Sequence, residues 1–514
     1  MTAEERKVLK EKVLQTFVVT VREINKFGGP KEFFEKYPVG AMYYCYSAKD
    51  VDFTKETSVF SNPEYLMECR KYSKIPLLVC ADYVPLPGQK YGVSVRSLGG
   101  SKNEEHAYNC GKIMGMQCNA NDIDWILQPA IDMYYKSSMP FYALSGDVEV
   151  TAKMFRQIVK GLQDQGVCAT VKHFPGLGTD NTNMHHAPGT NVLPFDEWMN
   201  SYGYTYKEMF KENACSVMTT HTMLQSYDDE THDGFLPIAT YSKKLSMDLL
   251  KGELGFEGAI VTDALIMGGM ATGDLVAETV QAFKSGADFL LWPPMEAADK
   301  IVELLESGEI PMSRLDDALA RIGKMRSFRA RALAEKTYDE PDADFANAVA
   351  KEAIRDGICL YKNELNLIPL SKEVKKILIL NAMRGNGSEM MKTELEKRGY
   401  RVDVTDDIYD HEFYVCWQDD IDEIASQYDM VIVNANPGIT DDTHNPLFMM
   451  IWASHLFHKQ KKIVINYGKP FVTLNYFPEE LTVIEANEEP SELVVQYIVD
   501  GLVGEMEFTG EFVL

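Results

Sequence analysis

The sequence predicts an α/β protein in which an N-terminal (β/α)8 TIM-like barrel is followed by a smaller three-layer αβα sandwich domain. The chain has 514 residues, which is too long for a single hydrophobic core. Short, nearly continuous apolar runs alternate with longer helical segments, as in a parallel sheet that is buried on both faces. A charged stretch that becomes rich in Pro and Asp near residue 340 interrupts this alternation. We therefore expect a barrel at 1–335, a linker at 336–345 and the sandwich at 346–514.

The barrel is predicted from seven apolar runs that follow an N-terminal amphipathic helix. The predicted strands are residues 39–44, 76–81, 125–129, 167–171, 216–220, 258–262 and 289–292. Helical patterns at 104–118, 148–165 and 277–285 lie between them. Seven or eight such units in about 330 residues fit a (β/α)8 barrel better than an open sheet.

The second domain is predicted from a shorter alternation of the same kind. Its predicted helices are residues 346–356, 389–397 and 447–458, and its predicted strands are 358–361, 376–381, 430–434, 462–466 and 481–486. Helices on both faces of such a sheet give a three-layer domain. The domain has no GxGxxG and no GxxxxGK[ST] motif, so nothing in it favours nucleotide binding.

Charge and composition exclude several classes of protein. The formal net charge is −26 and the pI is about 4.9, so nucleic acid and anionic membranes would be repelled. No apolar signal region and no run of about 18 apolar residues is present, which predicts a cytoplasmic protein without membrane spans. The nine scattered cysteines indicate reduced thiols and no metal site. No cofactor is predicted, and the oligomeric state is left open, with a homodimer among the options.

Ionisable residues follow five of the predicted strands. They are Asp82, Asp132, the pair Lys172-His173, His221 and Asp263. Function in a barrel of this type sits at the carboxyl ends of the strands, so we expect these side chains to converge there. Taken singly, each also has a structural explanation: a salt bridge for Lys172, core hydrogen bonds for the histidines, and a helix N-cap for Asp263. Zinc is a weaker alternative, because the histidines lack HExxH spacing.

Asp263 is the most informative of these residues. It leaves a buried strand and precedes an apolar stretch, so its carboxylate would stand in a largely apolar mouth. Carboxylates in such positions act as nucleophiles or proton carriers, and glycosidases use one in this way. The segment after Lys172 is rich in Pro, Gly, Asn and His, and such a loop could bring a histidine to the same ligand. The alternative is a surface loop that happens to carry histidines.

These residues resemble glycoside hydrolase family 3, in its β-N-acetylglucosaminidase (β-N-acetylhexosaminidase) branch. The run Lys-His-Phe-Pro-Gly at 172–176, with the Gly/Thr/Asp-containing loop and histidine after it, is similar to the family's KHFPGxG…DSH signature. Residues 254–267 resemble its nucleophile motif, and 128–132, 217–221 and 286–290 resemble other barrel strands. The resemblance extends from about residue 38 to the end of the chain. It implies a retaining mechanism with Asp263 as the nucleophile and a loop histidine as the acid/base. It also implies that Asp82, Lys172, His173, His221 and Met267 bind the substrate.

The sequence departs from the family's pattern at the acid/base. The counterpart of the catalytic histidine is His185, and Asn183 stands where the family has an aspartate. An amide can orient the imidazole ring but cannot stabilise the imidazolium with a charge. Asp180 could replace the missing carboxylate, and His186 could be the working histidine.

Residues that contact the sugar or flank the loop depart as well. The family's sugar-contacting arginine is replaced by Ala143, and Arg96 could supply a guanidinium from another loop. Residues 83–85 and Leu177 also differ from the pattern. Loss of a bidentate donor would weaken or redirect hydroxyl recognition.

Three functional hypotheses follow. The first is a retaining exo-glycosidase that hydrolyses a terminal β-linked, N-acetylglucosamine-like sugar. The second is a family 3 β-glucosidase-like enzyme that acts on a neutral sugar, since the departures fall at specificity positions. The third is a catalytically impaired relative that binds a sugar. Phosphate in place of water as the acceptor is a variant of the first two, because a histidine repels an anion less than a carboxylate does. The partner in each case is a small carbohydrate or glycoside.

Overall fold

The computed structural model describes residues 1–44, 63–82, 88–135, 142–231, 234–270, 273–335, 339, 342–405, 418–436, 450–451 and 453–514. Its contacts divide the chain into two compact units. The first consists of Met1–Lys90, Ala107–Ala143 and Val148–Ala346. The second consists of Tyr91–His106, Leu144–Asp147 and Asn347–Leu514, so two short early segments belong with the C-terminal third.

The first unit is built on eight parallel strands. They are β1 (Phe17–Thr20), β2 (Ala41–Tyr43), β3 (Leu78–Ala81), β4 (Trp125–Ile126), β5 (Cys168–Phe174), β7 (Ser216–Thr219), β9 (Ala259–Thr262) and β10 (Leu290–Leu291). The sheet order is β10-β1-β2-β3-β4-β5-β7-β9, and every neighbouring pair is parallel. A parallel bridge from Val261 to Phe289 connects β9 back to β10. The sheet therefore closes into a barrel.

Helices follow most of the barrel strands. Up to residue 335 they are Ala3–Leu14, Val21–Lys26, Pro30–Lys36, Pro63–Tyr72, Val95–Ser101, Glu104–Ala120, Val148–Asp164, Phe195–Trp198, Tyr204–Phe210, Leu275–Ser285, Ala297–Ser307 and Met312–Glu335, with π-helical segments at Met199–Gly203 and Lys244–Glu253. Local signals set their ends. Thr2 and Glu5 form a capping box at the first helix, and Gly286 ends Leu275–Ser285 at a φ of 122°.

Side chains of alternating strand residues fill the barrel. Trp125 is fully buried there, and its indole N–H donates to Thr170 (2.6 Å) and Ser216 (3.1 Å). Val18, Ala41, Leu78, Val261 and Phe289 belong to the same core cluster. A buried indole without these hydroxyl acceptors would be costly, so the small polar residues on β5 and β7 make this packing possible.

The second unit contains a six-stranded mixed sheet. Its strands are β11 (Cys359–Asn363), β12 (Lys376–Met383), β13 (Arg401–Val404), β14 (Met430–Asn436), β15 (Lys462–Asn466) and β16 (Thr482–Glu485), in the order β11-β16-β15-β14-β12-β13. Only the pair of β11 and β16 is antiparallel. Its helices after residue 342 are Ala343–Gly357, Gly387–Lys397, Gln418–Ser426, Pro470–Tyr476 and Glu492–Leu502, with a 3-10 turn at Lys459–Lys461.

Two hydrophobic clusters lie on opposite faces of this sheet. Ile377 and Ile379 belong to one cluster, while Leu378 and Leu380 belong to the other. Because successive strand residues point to opposite faces, this alternation shows that both faces are covered. The predicted fold class, a barrel followed by a three-layer αβα domain, is confirmed.

The sequence prediction missed some strands. Each of the seven predicted barrel strands corresponds to a strand of the structure, but β1 and β13 were not predicted. β1 has only four residues and lies between two helices without a Gly or Pro to mark its ends, so its periodicity was hidden. The division predicted at 336–345 stays a prediction, because five of those residues lie outside the described part of the chain. The predicted helix 447–458 also lies partly outside it.

Within the described residues, no helix combines the length and the apolar character needed to cross a lipid bilayer.

Candidate active site

The carboxyl ends of the barrel strands bring the predicted ionisable side chains to one end of the first unit. Asp82 follows β3, Lys172 and His173 lie near the end of β5, and Asp263 follows β9. All these strands are parallel, so their carboxyl ends share one rim. Asp132 follows β4 on the same rim.

Lys172 and Asp82 form an ion pair on this rim. Nζ of Lys172 lies 2.7 Å from Oδ1 of Asp82, and the hydroxyl of Tyr43 donates to Oδ2 of Asp82 at 2.8 Å. The Lys172 side chain is 10% exposed and that of Asp82 is 46% exposed, so the carboxylate is the accessible partner. The arrangement offers a fixed cation and a reachable carboxylate to a hydroxylated ligand.

His173 is oriented by the fully buried Asp132. Nδ1 of His173 lies 2.7 Å from Oδ2 of Asp132, and Oδ1 of the same carboxylate accepts the backbone N–H of Leu177 at 2.8 Å. Tyr142 lies beside the ring, with its hydroxyl 3.3 Å from Nδ1. Because Nδ1 donates to the carboxylate, Nε2 is the nitrogen that can address a ligand.

Asp263 is held by two hydrogen bonds. The hydroxyl of Thr220 donates to Oδ2 at 2.9 Å, and the backbone N–H of Ala264 donates to Oδ1 at 2.8 Å. Burial alone would raise the pKa of Asp263. The side chains of His221, His173 and Lys172, with the Ala264 N–H, outweigh burial and hold this pKa below its ordinary value. Asp263 is therefore a fixed, ionised carboxylate.

His221 contacts protein atoms through both ring nitrogens. Nε2 lies 3.1 Å from the carbonyl oxygen of Ala264, and Nδ1 lies 3.0 Å from the hydroxyl of Thr240. Burial lowers the pKa of His221, while the nearby carboxylate of Asp263 acts in the opposite direction. The ring is fully buried and ties the end of β7 to the residue after Asp263. Both ring nitrogens thus have protein partners, and the role of His221 as a substrate-binding residue stays a prediction.

The predicted acid/base histidine is paired with the amide that replaces the family's aspartate. Nδ1 of His185 lies 2.8 Å from Oδ1 of Asn183, which also accepts the backbone N–H of His185 at 3.0 Å. His185 is exposed, as the acid/base must be. Asp180 instead accepts the backbone N–H of Thr190 at 2.8 Å. In this structure the ring partner is therefore Asn183 and not Asp180.

The His185 turn is docked on the segment that follows Asp263. The backbone N–H of Gly268 donates to the carbonyl of His185, and that of Gly269 donates to the carbonyl of Met184, both at 3.0 Å. A Cβ on Gly268 would lie 2.8 Å from the carbonyl oxygens of both His185 and His186. Only glycine permits this approach, so the turn and the Asp263 segment are fixed to each other. His186 is exposed and takes part in the turn, its backbone N–H donating to the carbonyl of Asn183 at 2.9 Å.

A short parallel ribbon supports the base of the same loop. Strand β6 (Gly189–Asn191) pairs with β8 (Thr222–Leu224). The side-chain amide of Asn191 donates to the carbonyl of Gly176 at 3.0 Å, and the indole of Trp198 donates to that of Pro175 at 2.8 Å. The peptide bonds Lys172–His173 and Phe174–Pro175 are cis. These contacts fix the loop at both ends.

Met267 lies in an apolar patch under the rim. It is nearly buried and belongs to the same core cluster as Leu177, Met184 and Ala264. Its neighbour Ile266 is 62% exposed. The accessible apolar surface in this segment is therefore that of Ile266, three positions after Asp263.

The structure brings together most of the residues predicted from sequence, and it adds others. Tyr43, Thr220 and Tyr142 were not predicted, although Tyr43 ends β2 and Thr220 directly follows β7, where a polar side chain is a recognisable signal. Asp132 was noted only as a strand-end residue, and its contact with His173 spans 41 positions.

The two positions considered for the missing arginine differ in their surroundings. Ala143 is fully buried. Arg96 is buried in the second unit, where its guanidinium bonds to the carbonyl of Gly468 and lies 3.7 Å from Glu489. Its described contacts are thus with the αβα unit. The predicted departures at 83–85 lie outside the described residues. No cluster of three or more His, Cys, Asp or Glu residues suited to a metal ion occurs in the described part of the chain.

Known proteins resemble this chain in sequence and in fold. The chain is 26% identical over 311 residues to a Beta-N-acetylglucosaminidase/beta-glucosidase of Cellulomonas fimi, covering 57% of this chain and 54% of that protein. It is also 26% identical over 251 residues to a Beta-hexosaminidase of Methylobacillus flagellatus, covering 48% of this chain and 68% of the relative. The chain thus spans about half the length of the Cellulomonas protein.

Solved structures show the fold over the whole chain. A beta-glucoside phosphorylase, BglX, bound to 2FGlc has a TM-score of 0.78 at 22% identity, with 100% of this chain and 96% of that chain covered. A glycoside hydrolase family 3 beta-N-acetylglucosaminidase from Paenibacillus sp. str. FPU-7 has a TM-score of 0.75 at 23% identity, with 98% of both chains covered. At such identities the likeness shows the fold.

The sequence model described as Glycosyl hydrolase family 3 N terminal domain matches residues 8–325. This match and the relatives' names support the predicted class of glycoside hydrolase. Because the match covers more than half of the chain, the chain belongs to glycosyl hydrolase family 3, as its motifs predicted.

Proposed function

We propose that this chain is a retaining exo-glycosidase that removes a terminal β-linked, N-acetylglucosamine-like sugar through a covalent glycosyl-Asp263 intermediate. The observation that carries the proposal is the fixed juxtaposition of an ionised carboxylate with a loop histidine. Asp263 is held by Thr220 and Ala264, and the His185 turn is bonded to the segment after it through Gly268. Retaining glycosidases need a nucleophile and an acid/base around one bond.

In the first step, the Asp263 carboxylate attacks the anomeric carbon and the glycosidic bond breaks. Its lowered pKa keeps it ionised at neutral pH, and the two hydrogen bonds hold its oxygens in a fixed orientation. The leaving oxygen takes a proton from His185. With Nδ1 bonded to Asn183, Nε2 is the nitrogen that carries this proton.

In the second step, His185 accepts a proton from water as the water attacks the glycosyl ester. The sugar is released with its configuration retained and Asp263 is regenerated. Asn183 orients the ring in both steps but adds no negative charge. Asp180 bonds to Thr190 in this structure, so support of His185 is assigned to Asn183, with His186 as the alternative acid/base.

The sugar is proposed to bind against the Lys172–Asp82 pair and Nε2 of His173. An ammonium, a carboxylate and an imidazole offer donors and acceptors to adjacent hydroxyls. The apolar patch around Met267 would contact an apolar part of the ligand such as an acetyl methyl group. The N-acetyl preference is supported by the names of the two relatives above.

The test is a panel of nitrophenyl β-glycosides assayed on the wild type, Asp263→Asn and His185→Ala. We expect N-acetylglucosaminide to be the best substrate and Asp263→Asn to lose about 10³-fold or more of kcat. Asp299→Asn is the matched control, since Asp299 pairs with Lys10 at the surface. Full activity of Asp263→Asn would exclude its role as nucleophile. A preference for glucoside would favour the β-glucosidase alternative, and binding without turnover would favour an impaired sugar-binding protein.

Phosphate as the acceptor in the second step is a second candidate, favoured by one observation. The pair Asn183–His185 has no carboxylate, so an incoming phosphate meets less repulsion than it would beside an aspartate. Product analysis with and without phosphate decides between the two. A sugar 1-phosphate formed only with phosphate present would establish phosphorolysis, and free sugar in both cases would exclude it.

A further inference from the structure

A cavity lies at the end of the barrel strands opposite to Asp263. It has a volume of about 500 Å³ and belongs wholly to the first unit. Ser285 and Lys251, which lie on its wall, precede the amino ends of β10 and β9. Its size is that of a small-molecule site. Nothing in the proposed reaction uses it.

The wall of this cavity is positive, although the chain as a whole is strongly acidic. Five cationic side chains line it, but only two carboxylates do, Glu309 and Asp317. The cations are Lys243, Lys251, Lys284, Arg314 and Arg321. The net charge of the chain is −26, so this local excess runs against the composition. A concave surface of one sign concentrates ions of the other.

Part of the excess belongs to a largely buried ion network, whose most exposed member is Asp317 at 36%. Asp288 lies 2.6 Å from Arg314 and 3.3 Å from Lys251. Asp317 lies 2.9 Å from both of these cations and 3.0 Å from Arg321. Three cations thus share two carboxylates among the described residues, which leaves one positive charge uncompensated.

The pKa shifts of Lys251 and Asp317 agree with an excess of cations over carboxylates in this network. Burial lowers the pKa of Lys251, and the charges of Arg314 and Arg321 add to this effect against the attraction of Asp288. Burial would raise the pKa of Asp317, but its cationic partners lower it to about 2. Because both carboxylates are already engaged, an anion from outside the chain could balance the remaining positive charge.

The cavity also offers groups that could bind such an anion directly. Lys243 is exposed, and no ion pair involves it in the described part of the chain. Ser313 lies in the first turn of the 24-residue helix Met312–Glu335, where backbone N–H groups and the helix dipole favour negative charge. Lys284 is held near the cavity by Glu309 at 2.8 Å.

We propose that this cavity binds a phosphate-class oxyanion, either free phosphate or the phosphate group of a small phosphomonoester. A dianion would balance both the network's surplus charge and Lys243, whereas a neutral sugar would balance neither. Met247, Ile310 and Pro311 also line the cavity and give apolar surface for the body of a phosphomonoester. The site is independent of the proposed reaction, because it lies at the other end of the strands.

Titration calorimetry on the full chain tests the proposal, with inorganic phosphate, glucose 6-phosphate and glucose as separate ligands at constant ionic strength. We expect phosphate or glucose 6-phosphate to bind and glucose not to bind at this site. Lys243→Glu should weaken phosphate by about tenfold or more, because a positive group at the cavity becomes negative. Lys207→Glu is the matched control, because it reverses the charge of an exposed lysine on another helix; it should leave phosphate binding unchanged.

A second variant supplies the anion from the chain itself. Ser313→Glu places a carboxylate in the first turn of the helix beside the cavity, so it should raise the thermal midpoint without phosphate and abolish phosphate binding. Tighter binding of glucose 6-phosphate than of phosphate would identify a phosphomonoester site, and the reverse would identify a phosphate site. The proposal is overturned if the wild type binds neither ligand. It is also overturned if Lys243→Glu and Lys207→Glu have equal effects, since this would show nonspecific charge attraction.

Discussion

Gly268→Ala should damage proton transfer while leaving the nucleophile in place. The new Cβ would lie 2.8 Å from the carbonyl oxygens of His185 and His186 and 3.0 Å from Cα of His186. These are backbone atoms, so the turn must retreat by about 0.5 Å or more to restore ordinary contacts. The φ of Gly268 is outside the left-handed region, so alanine is excluded by space alone. A displacement of this size in a catalytic group typically costs about 10- to 100-fold in rate.

Substrates with two different leaving groups distinguish loss of proton transfer from loss of nucleophilic attack. In the proposed mechanism a methylphenyl glycoside needs a proton from His185, so Gly268→Ala should lower its turnover by about 10- to 100-fold. A dinitrophenyl glycoside leaves without a proton, so its first step should stay near the wild-type rate in a burst assay. Gly323→Ala is the control: Gly323 lies in the helix Met312–Glu335 with no atom within 4 Å of a built Cβ. Wild-type turnover of the methylphenyl glycoside by Gly268→Ala would refute the docked-turn explanation.

Three further predictions concern single charges. Asn183→Asp puts a carboxylate about 2.8 Å from Nδ1 of His185, which should stabilise the protonated form of the His185 imidazole. The alkaline limb of the pH–rate profile should therefore move to higher pH by about half a unit or more. An unchanged profile would argue against His185 as the acid/base. Asp132→Asn removes the buried charge that orients His173, so it should reduce kcat/KM and lower the free energy of unfolding by about 3 kcal/mol. Urea titration measures this loss, and equal stability of the two proteins would contradict the prediction. Burial raises the pKa of Glu485 to about 8, so the folded state keeps its proton and the unfolded state loses it between about pH 4.5 and pH 8. Stability should therefore fall across that interval in the wild type, by about 5 kcal/mol, and less in Glu485→Gln; parallel melting curves would exclude this.

The fold could be predicted from sequence wherever the signal was local. The apolar runs and the helical segments between them gave the barrel and the αβα domain, because period and length are properties of short stretches. β1 escaped because four residues between two helices do not establish a period. The segments Tyr91–His106 and Leu144–Asp147 cluster with the C-terminal unit through contacts such as Ser97 to Glu488 and Ser145 to Val513. Contacts across hundreds of positions leave no local pattern.

The residues of the candidate site were likewise predictable where their signal was local. Polar residues directly after buried strands identified Asp82, Lys172, His173 and Asp263, since strand ends are visible in the sequence. The pairing of His185 with Asn183 spans two positions, so it too could be expected.

By itself, then, the sequence determined the family, the barrel and the side chains at the strand ends, because each depends on neighbouring residues. Only the tertiary structure decided what those side chains contact. In the structure both ring nitrogens of His221 contact protein atoms, one of Thr240 and one of Ala264. The carboxylate of Asp180 accepts the backbone N–H of Thr190. Five cationic side chains also line a cavity at the end of the barrel opposite to Asp263. Hydrogen bonds and charge balance depend on groups that meet only when the strands close, which is why the partners of these side chains and the cationic cavity could not be predicted from the sequence.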